Sequence, residues 1–229
     1  MSSQKSLRVL YIHGRQSSKN TPKLVHLSKY FTTHCVEYTV EQAADYEGVV
    51  KQQARAIKDF QPDVIVGSSY GGSVTTTLVQ RGFQALAAAR EDPEKARRVL
   101  ISGEESVLGG DEDIVGWVGP VVLLAPAHLK RFGMEDKGWW PTEAPAKIIH
   151  GTQDDIVPIE DSRILAKSLK SFTQKRINLL PMRFVELVEV EDGHRLESLA
   201  SGDLLINAVT DAANTWGRAK TFVPLPVNM

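Results

Sequence analysis

One cysteine occurs in 229 residues. Cys35 therefore has no partner for an internal disulfide and cannot hold a metal by itself, which excludes a disulfide-stapled scaffold and fits a reducing, cytoplasmic compartment. An excess of charge is missing too: 27 Lys and Arg stand against 28 Asp and Glu, a formal net of −1. No basic run is long enough to follow a phosphate backbone, so nucleic acid is not an expected partner. Long apolar runs are absent, with no window near the ~18 residues of a membrane span. The polar opening stretch Met1–Arg8 lacks the apolar region of a signal peptide. Internal repeats and low-complexity linkers are missing as well. These absences lead to the expectation of a chain with neither a membrane nor a nucleic-acid partner.

What is present is a regular alternation. With 42% of 229 residues hydrophobic, the chain can fill one core, although length alone leaves two small domains open. Short β-rich apolar runs at Leu7–Ile12, Cys35–Val40, Asp63–Gly67, Pro120–Ala125, Ala146–His150 and Arg183–Val190 read as strands. Between them, Leu24, Leu27 and Phe31, then Val50, Ala54, Ile57 and Phe60, recur at helical spacing. Ile164, Leu165, Leu169 and Phe172 mark a later helix, and Leu204, Leu205, Ala208, Val209, Ala212 and Trp216 the last one. Thr21-Pro22 is a helix-start signal. The pattern predicts a single α/β domain over 1–229, a mostly parallel sheet of about six strands between two helical layers. Gly82 to Gly119 interrupts the alternation as an insertion, since connections of about 2–6 residues are usual. Its first part reads as a helix, and it should start on the side of the sheet away from the chemistry.

The strongest local signal is Gly67-Ser68-Ser69-Tyr70-Gly71, set directly after the strand Val64-Ile65-Val66 and directly before a helix. It matches G-x-S-x-G, a strand-to-helix turn tight enough to hold its serine in a strained backbone conformation with the hydroxyl exposed. A serine hydroxyl is a weak nucleophile at neutral pH, so it needs a base within hydrogen-bond reach and a third group to orient that base. The loop His150-Gly151-Thr152-Gln153-Asp154-Asp155 supplies an acid after one strand, and Glu191-Asp192-Gly193-His194 supplies a histidine after the last. Ser69, a carboxylate of that loop, Asp154 or Asp155, and His194 thus arrive at one sheet edge in the order serine, acid, histidine.

On these segments, together with Tyr11-Ile12-His13-Gly14 and Val121–Ala127, the chain resembles the α/β-hydrolase superfamily, and within it the compact dienelactone hydrolases and small carboxylesterases. The likeness spans roughly Leu7 to Leu196. It implies an α/β-hydrolase fold with a short cap, and it implies that the backbone N–H groups of Arg15 and Tyr70 form an oxyanion hole. By the family's spacing to Val157-Pro158 the acid is Asp154 rather than Asp155, its nearest competitor. His13 and His150 resemble structural His-Gly pairs and stand second to His194 as bases, while Asp192 has the duller role of shaping its turn. In the cap segment after Pro126, His128, Trp139 and Trp140 are the substrate-binding candidates, although packing is the slightly better reading for the two tryptophans. A charged Arg15 beside the oxyanion hole would favour an acidic substrate group.

The expected activity is hydrolysis of a small carboxylic ester or thioester through an acyl-enzyme, with no metal or organic cofactor required. An amide or C–C bond on the same three residues, or a non-catalytic ligand-binding role, are the alternatives, because a fold does not fix a function. Nothing in the sequence sets the oligomeric state.

Overall fold

A computed structural model describes residues 6–89, 116–127, 145–176 and 185–222. His128, Trp139 and Trp140, the rest of the expected cap, most of the insertion and residues 223–229 lie outside the described residues. The described strands are β1 (Arg8–Ile12), β2 (Thr32–His34), β3 (Val64–Ser68), β4 (Val121–Leu124), β5 (Ala146–Gly151) and β6 (Val185–Val190). The helices are α1 (Pro22–Leu27), α2 (Tyr46–Phe60), α3 (Tyr70–Ala89), α4 (Ile159–Arg176) and α5 (Leu204–Phe222).

The strands form one six-stranded sheet in the order β2-β1-β3-β4-β5-β6, and every pairing is parallel. Strand alternation divides the core into two layers, because successive side chains point to opposite faces. Leu10, Ile12, Ile65, Leu123 and Ile148 pack on one face with Val50, Ala54 and Ile57 of α2, Val74 and Leu78 of α3, and Leu165 of α4. Val9, Tyr11, Val64, Val66, Val122 and Ile149 pack on the other with Leu24 and Leu27 of α1 and with Leu205, Val209 and Ala212 of α5. The sheet residues in both groups are essentially inaccessible to solvent, and full burial of each such side chain is worth about 1.5–3 kcal/mol.

Local sequence sets where the helices begin and end. Pro22 occupies the first turn of α1, where its missing N–H costs nothing. The Asp45 side chain caps α2 by accepting from the Gly48 N–H at 2.9 Å. That helix stops where Gln61 turns left-handed at φ 48°.

Two expectations shift. The second strand is Thr32–His34, not Cys35–Val40, because register with β1 pairs Arg8, Val9 and Leu10 with Thr32, Thr33 and His34. As an edge strand with an exposed face it carries none of the apolar run used to locate it. The helix after Ser69 continues through Gly82 to Ala89, so the insertion grows out of α3 itself. The chain is back beside that helix at Trp117, whose N–H donates to the Leu78 carbonyl at 2.8 Å.

β1 connects outward to β2, whereas the chain after β3 goes to β4 on the other side. The gap above the carboxyl ends of β1 and β3 is therefore the topological switch point of the sheet, where open α/β folds leave a crevice for ligands. Among the described residues no helix is long and apolar enough to cross a membrane.

Candidate active site

Ser69 follows β3 directly and has φ 52°, a left-handed conformation that costs a non-glycine residue about 1–3 kcal/mol. The surrounding chain enforces it. The Ser69 N–H donates to the Leu124 carbonyl (2.8 Å), and its own carbonyl accepts from Gly72 (2.9 Å) and Ala127 (3.1 Å). The flanking glycines allow the close approach: a Cβ on Gly71 would lie 2.6 Å from the His13 carbonyl oxygen, and one on Gly67 would lie 2.7 Å from the Gly71 carbonyl oxygen. The result is a serine hydroxyl lifted above the sheet at the start of α3, where the positive end of the helix dipole is directed.

His194 lies in the turn after β6, with Nε2 2.9 Å from Ser69 Oγ and Nδ1 2.8 Å from Asp154 Oδ2. The carboxylate needs Nδ1 as donor, so Nε2 is left as the acceptor for the serine proton. The His194 side chain is 14% exposed, whereas that of Asp154 is wholly buried. The second Asp154 oxygen, Oδ1, accepts the backbone N–H groups of Ile156 (2.9 Å) and Val157 (2.8 Å). Burial alone pushes the Asp154 pKa up. Hydrogen bonds from His150, His194, Val157 and Ile156 outweigh it and hold the carboxyl well below the usual carboxylate range. Asp155, the competing acid, is exposed to solvent and makes no such contact.

The turn that presents His194 is braced from both sides. Asp192 accepts the Gly193 N–H (2.7 Å) and the Ser198 N–H (2.9 Å), the turn-shaping role. From α1, the buried Lys23 ammonium donates to the Arg195 carbonyl, one residue past His194.

Gly14 packs against the serine, a Cβ built on it falling 3.5 Å from Ser69 Cβ, and Arg15 is the next residue in the chain. Arg15 is exposed. Tyr70 opens α3 and donates its phenol to the Ala43 carbonyl at 3.0 Å. Its ring packs against Tyr38 and Tyr46 with centroids 5.6 and 5.7 Å apart. His13 is buried with its ring stacked on Tyr38 at 3.9 Å, its Nδ1 2.7 Å from the Gly14 carbonyl, and it does not approach the serine through any hydrogen bond.

Sequence reasoning brought Ser69, Asp154 and His194 to one edge but missed the Lys23 brace and the contact of His150 with the acid. His150 Nε2 lies 3.0 Å from Asp154 Oδ2. The available signal was the four-residue interval from a strand-end histidine to the acid. Among the described residues no cluster of His, Cys, Asp or Glu has the arrangement of a metal site.

The fold has counterparts among solved structures. Esterase 2 of Thermogutta terrifontis, in a form phosphonylated by sarin, matches 98% of this chain and 87% of its own with 18% identity and a TM-score of 0.53. A butyrate-bound structure of the same esterase covers 96% of this chain and 86% of its own, with 18% identity and a TM-score of 0.50. A protein from Agrobacterium vitis S4 matches 93% of this chain and 88% of its own at 16% identity and a TM-score of 0.52. This chain has the α/β-hydrolase fold. At such identities the likeness speaks for the fold and leaves the chemistry to the site. The uncharacterised protein family UPF0227 matches residues 8–88, the part of this hydrolase fold that runs from β1 through most of α3. No curated protein matches the sequence.

Proposed function

We propose that the protein is a cytoplasmic serine hydrolase that cleaves small carboxylic esters or thioesters. The observation that carries this is the continuous hydrogen-bonded chain from Ser69 Oγ through His194 to Asp154 Oδ2, with links of 2.9 and 2.8 Å. Its place at the switch point of the sheet and the strained serine backbone add support. So does the likeness to an esterase described in phosphonylated and butyrate-bound forms.

In the proposed mechanism Ser69 Oγ attacks the substrate carbonyl as its proton passes to His194 Nε2. The tetrahedral oxyanion is held by the backbone N–H groups of Tyr70 and Arg15, an interaction stronger in the transition state than in the ground state. His194 then gives the proton to the leaving alcohol or thiol, and an acyl-Ser69 ester remains. Water, deprotonated by His194, attacks this ester and releases the carboxylic acid. Asp154 stays ionised throughout, keeps the proton on Nδ1 and stabilises the imidazolium.

The test is hydrolysis of p-nitrophenyl esters from acetate to longer acyl chains by the wild type, Ser69→Ala and His194→Ala. The proposal expects wild-type turnover that falls by at least about 10³-fold in both variants. Undiminished turnover in Ser69→Ala, or none in the wild type, would overturn it, and the second result would favour a ligand-binding role.

A further inference from the structure

The acid is approached by two histidines, and the proposed cycle uses only one. His150 is fully buried at the end of β5, and Ser162 on α4 is equally buried. His150 Nδ1 lies 2.6 Å from Ser162 Oγ. Its Nε2 lies 3.0 Å from the Val157 carbonyl oxygen and 3.0 Å from Asp154 Oδ2. Both groups facing Nε2 are acceptors without a proton to give, so Nε2 carries the hydrogen. In the neutral ring Nδ1 then accepts from the Ser162 hydroxyl. The result is a near mirror of the catalytic arrangement: Ser162, His150, Asp154, His194 and Ser69 follow one another through side-chain contacts of 2.6, 3.0, 2.8 and 2.9 Å. Ser162 is sealed from solvent and substrate, so its side of the mirror has no nucleophilic role.

We infer that His150, set by Ser162, is a positioning residue for the acid: it shares the Oδ2 oxygen with His194, fixes the carboxylate plane and tempers its hold on the His194 imidazolium. This rests on the hydrolase reading above. An ionised carboxylate offers about four acceptor sites, and here four donors meet them: Ile156 and Val157 N–H on Oδ1, His150 and His194 on Oδ2. The same His150 proton also reaches the Val157 carbonyl, so one ring ties the carboxylate to the loop that carries it. Take His150 away and Oδ2 keeps a single partner. The carboxylate then binds the His194 proton more strongly, and the base returns it less readily to a leaving group. The charged groups that flank the pair are Glu189 on β6, ion-paired to Arg163 of α4, Asp192 and Arg195 beside His194, and Lys23 on α1. None of them is altered in the variants below.

The experiment follows the His194 imidazole by 15N–1H NMR across pH, with ester kinetics in parallel, in the wild type, His150→Phe, His150→Gln and Ser162→Ala. In His150→Phe the His194 titration midpoint, and with it the acid limb of kcat/KM, should move up by roughly half to one pH unit. The kcat should fall roughly tenfold at near-constant KM, as expected for a displaced catalytic group. His150→Gln, which restores an N–H donor, should return both towards wild type. Ser162→Ala, which frees the tautomer without removing the ring, should shift the midpoint in the same direction by less, and it carries the test if the Phe variant does not fold. A midpoint and kcat unchanged in both His150→Phe and Ser162→Ala, with only thermal stability lowered, would reduce His150 to packing and overturn the inference. The expected midpoint shifts in a protein without ester turnover would uphold the His150 contact and sink the hydrolase reading instead.

Discussion

At the residue scale the costs of the site are concentrated in Ser69. Its φ of 52° is one that glycine adopts freely and other residues resist. Elsewhere in an element glycine weakens a fold relative to alanine, but here the order should invert. Ser69→Gly is expected to be more stable than Ser69→Ala by about 1 kcal/mol in urea unfolding, with neither variant active. Equal stabilities would mean that the serine conformation stores no strain. The motif around it was legible because its physical demand is local: residues next to a serine in so tight a strand-to-helix turn must be small, and Gly67 and Gly71 stand where a Cβ would meet backbone oxygens. His150 was not legible in the same way. Its spacing to Asp154 is visible in the sequence, but the contact depends on how the loop after β5 folds back, with Asp154 Oδ1 taking two of its own loop's N–H groups.

At the scale of elements, three strand ends supply the three residues, and the helices set how firmly each is held. Ser69 is locked by backbone bonds to the β4 region, and Asp154 by its own loop. His194 depends on a turn held from the loop after β5 by the Gln153 N–H on the Asp192 carbonyl (3.0 Å) and from α1 by the Lys23 ammonium on the Arg195 carbonyl. Lys23→Met should keep the apolar stem packed while removing that bond. The expected result is a kcat lowered about three- to tenfold with KM little changed, because only the alignment of the base suffers; a change confined to KM would place the effect elsewhere. Apolar periodicity located β1, β3, β4, β5 and β6 within a residue or two of their observed ends, since all except β6 are buried on both faces. It misplaced β2 for the opposite reason. Thr32–His34 is an edge strand with polar, largely exposed side chains, whereas Val36 and Tyr38, which suggested a strand, lie beyond it and turn in to pack on the core and on His13.

For the whole molecule, the buried acid links the chemistry to stability. The folded-state pKa of Asp154 is held below its ordinary value of 3.8, so the unfolded chain binds a proton that the folded one refuses as pH falls. Its stabilising contribution is therefore fully present above about pH 4 and is lost progressively as pH drops towards the folded value. Urea midpoints measured from pH 5 downward should fall more steeply for the wild type than for Asp154→Asn, in which that titration is absent. Parallel curves would show that the carboxylate is not held as described. Parallel strands and two covered faces together explain why the loops that carry Ser69, Asp154 and His194 meet at the carboxyl edge of one sheet.

The most direct test of the central claim is labelling with a fluorophosphonate probe, which needs an activated serine but no knowledge of the substrate. The account predicts a single adduct on the Ser69 peptide of the wild type, lost in Ser69→Ala and strongly slowed in His194→Ala. A folded wild type that remains unlabelled at Ser69, or that labels equally well without His194, would contradict it.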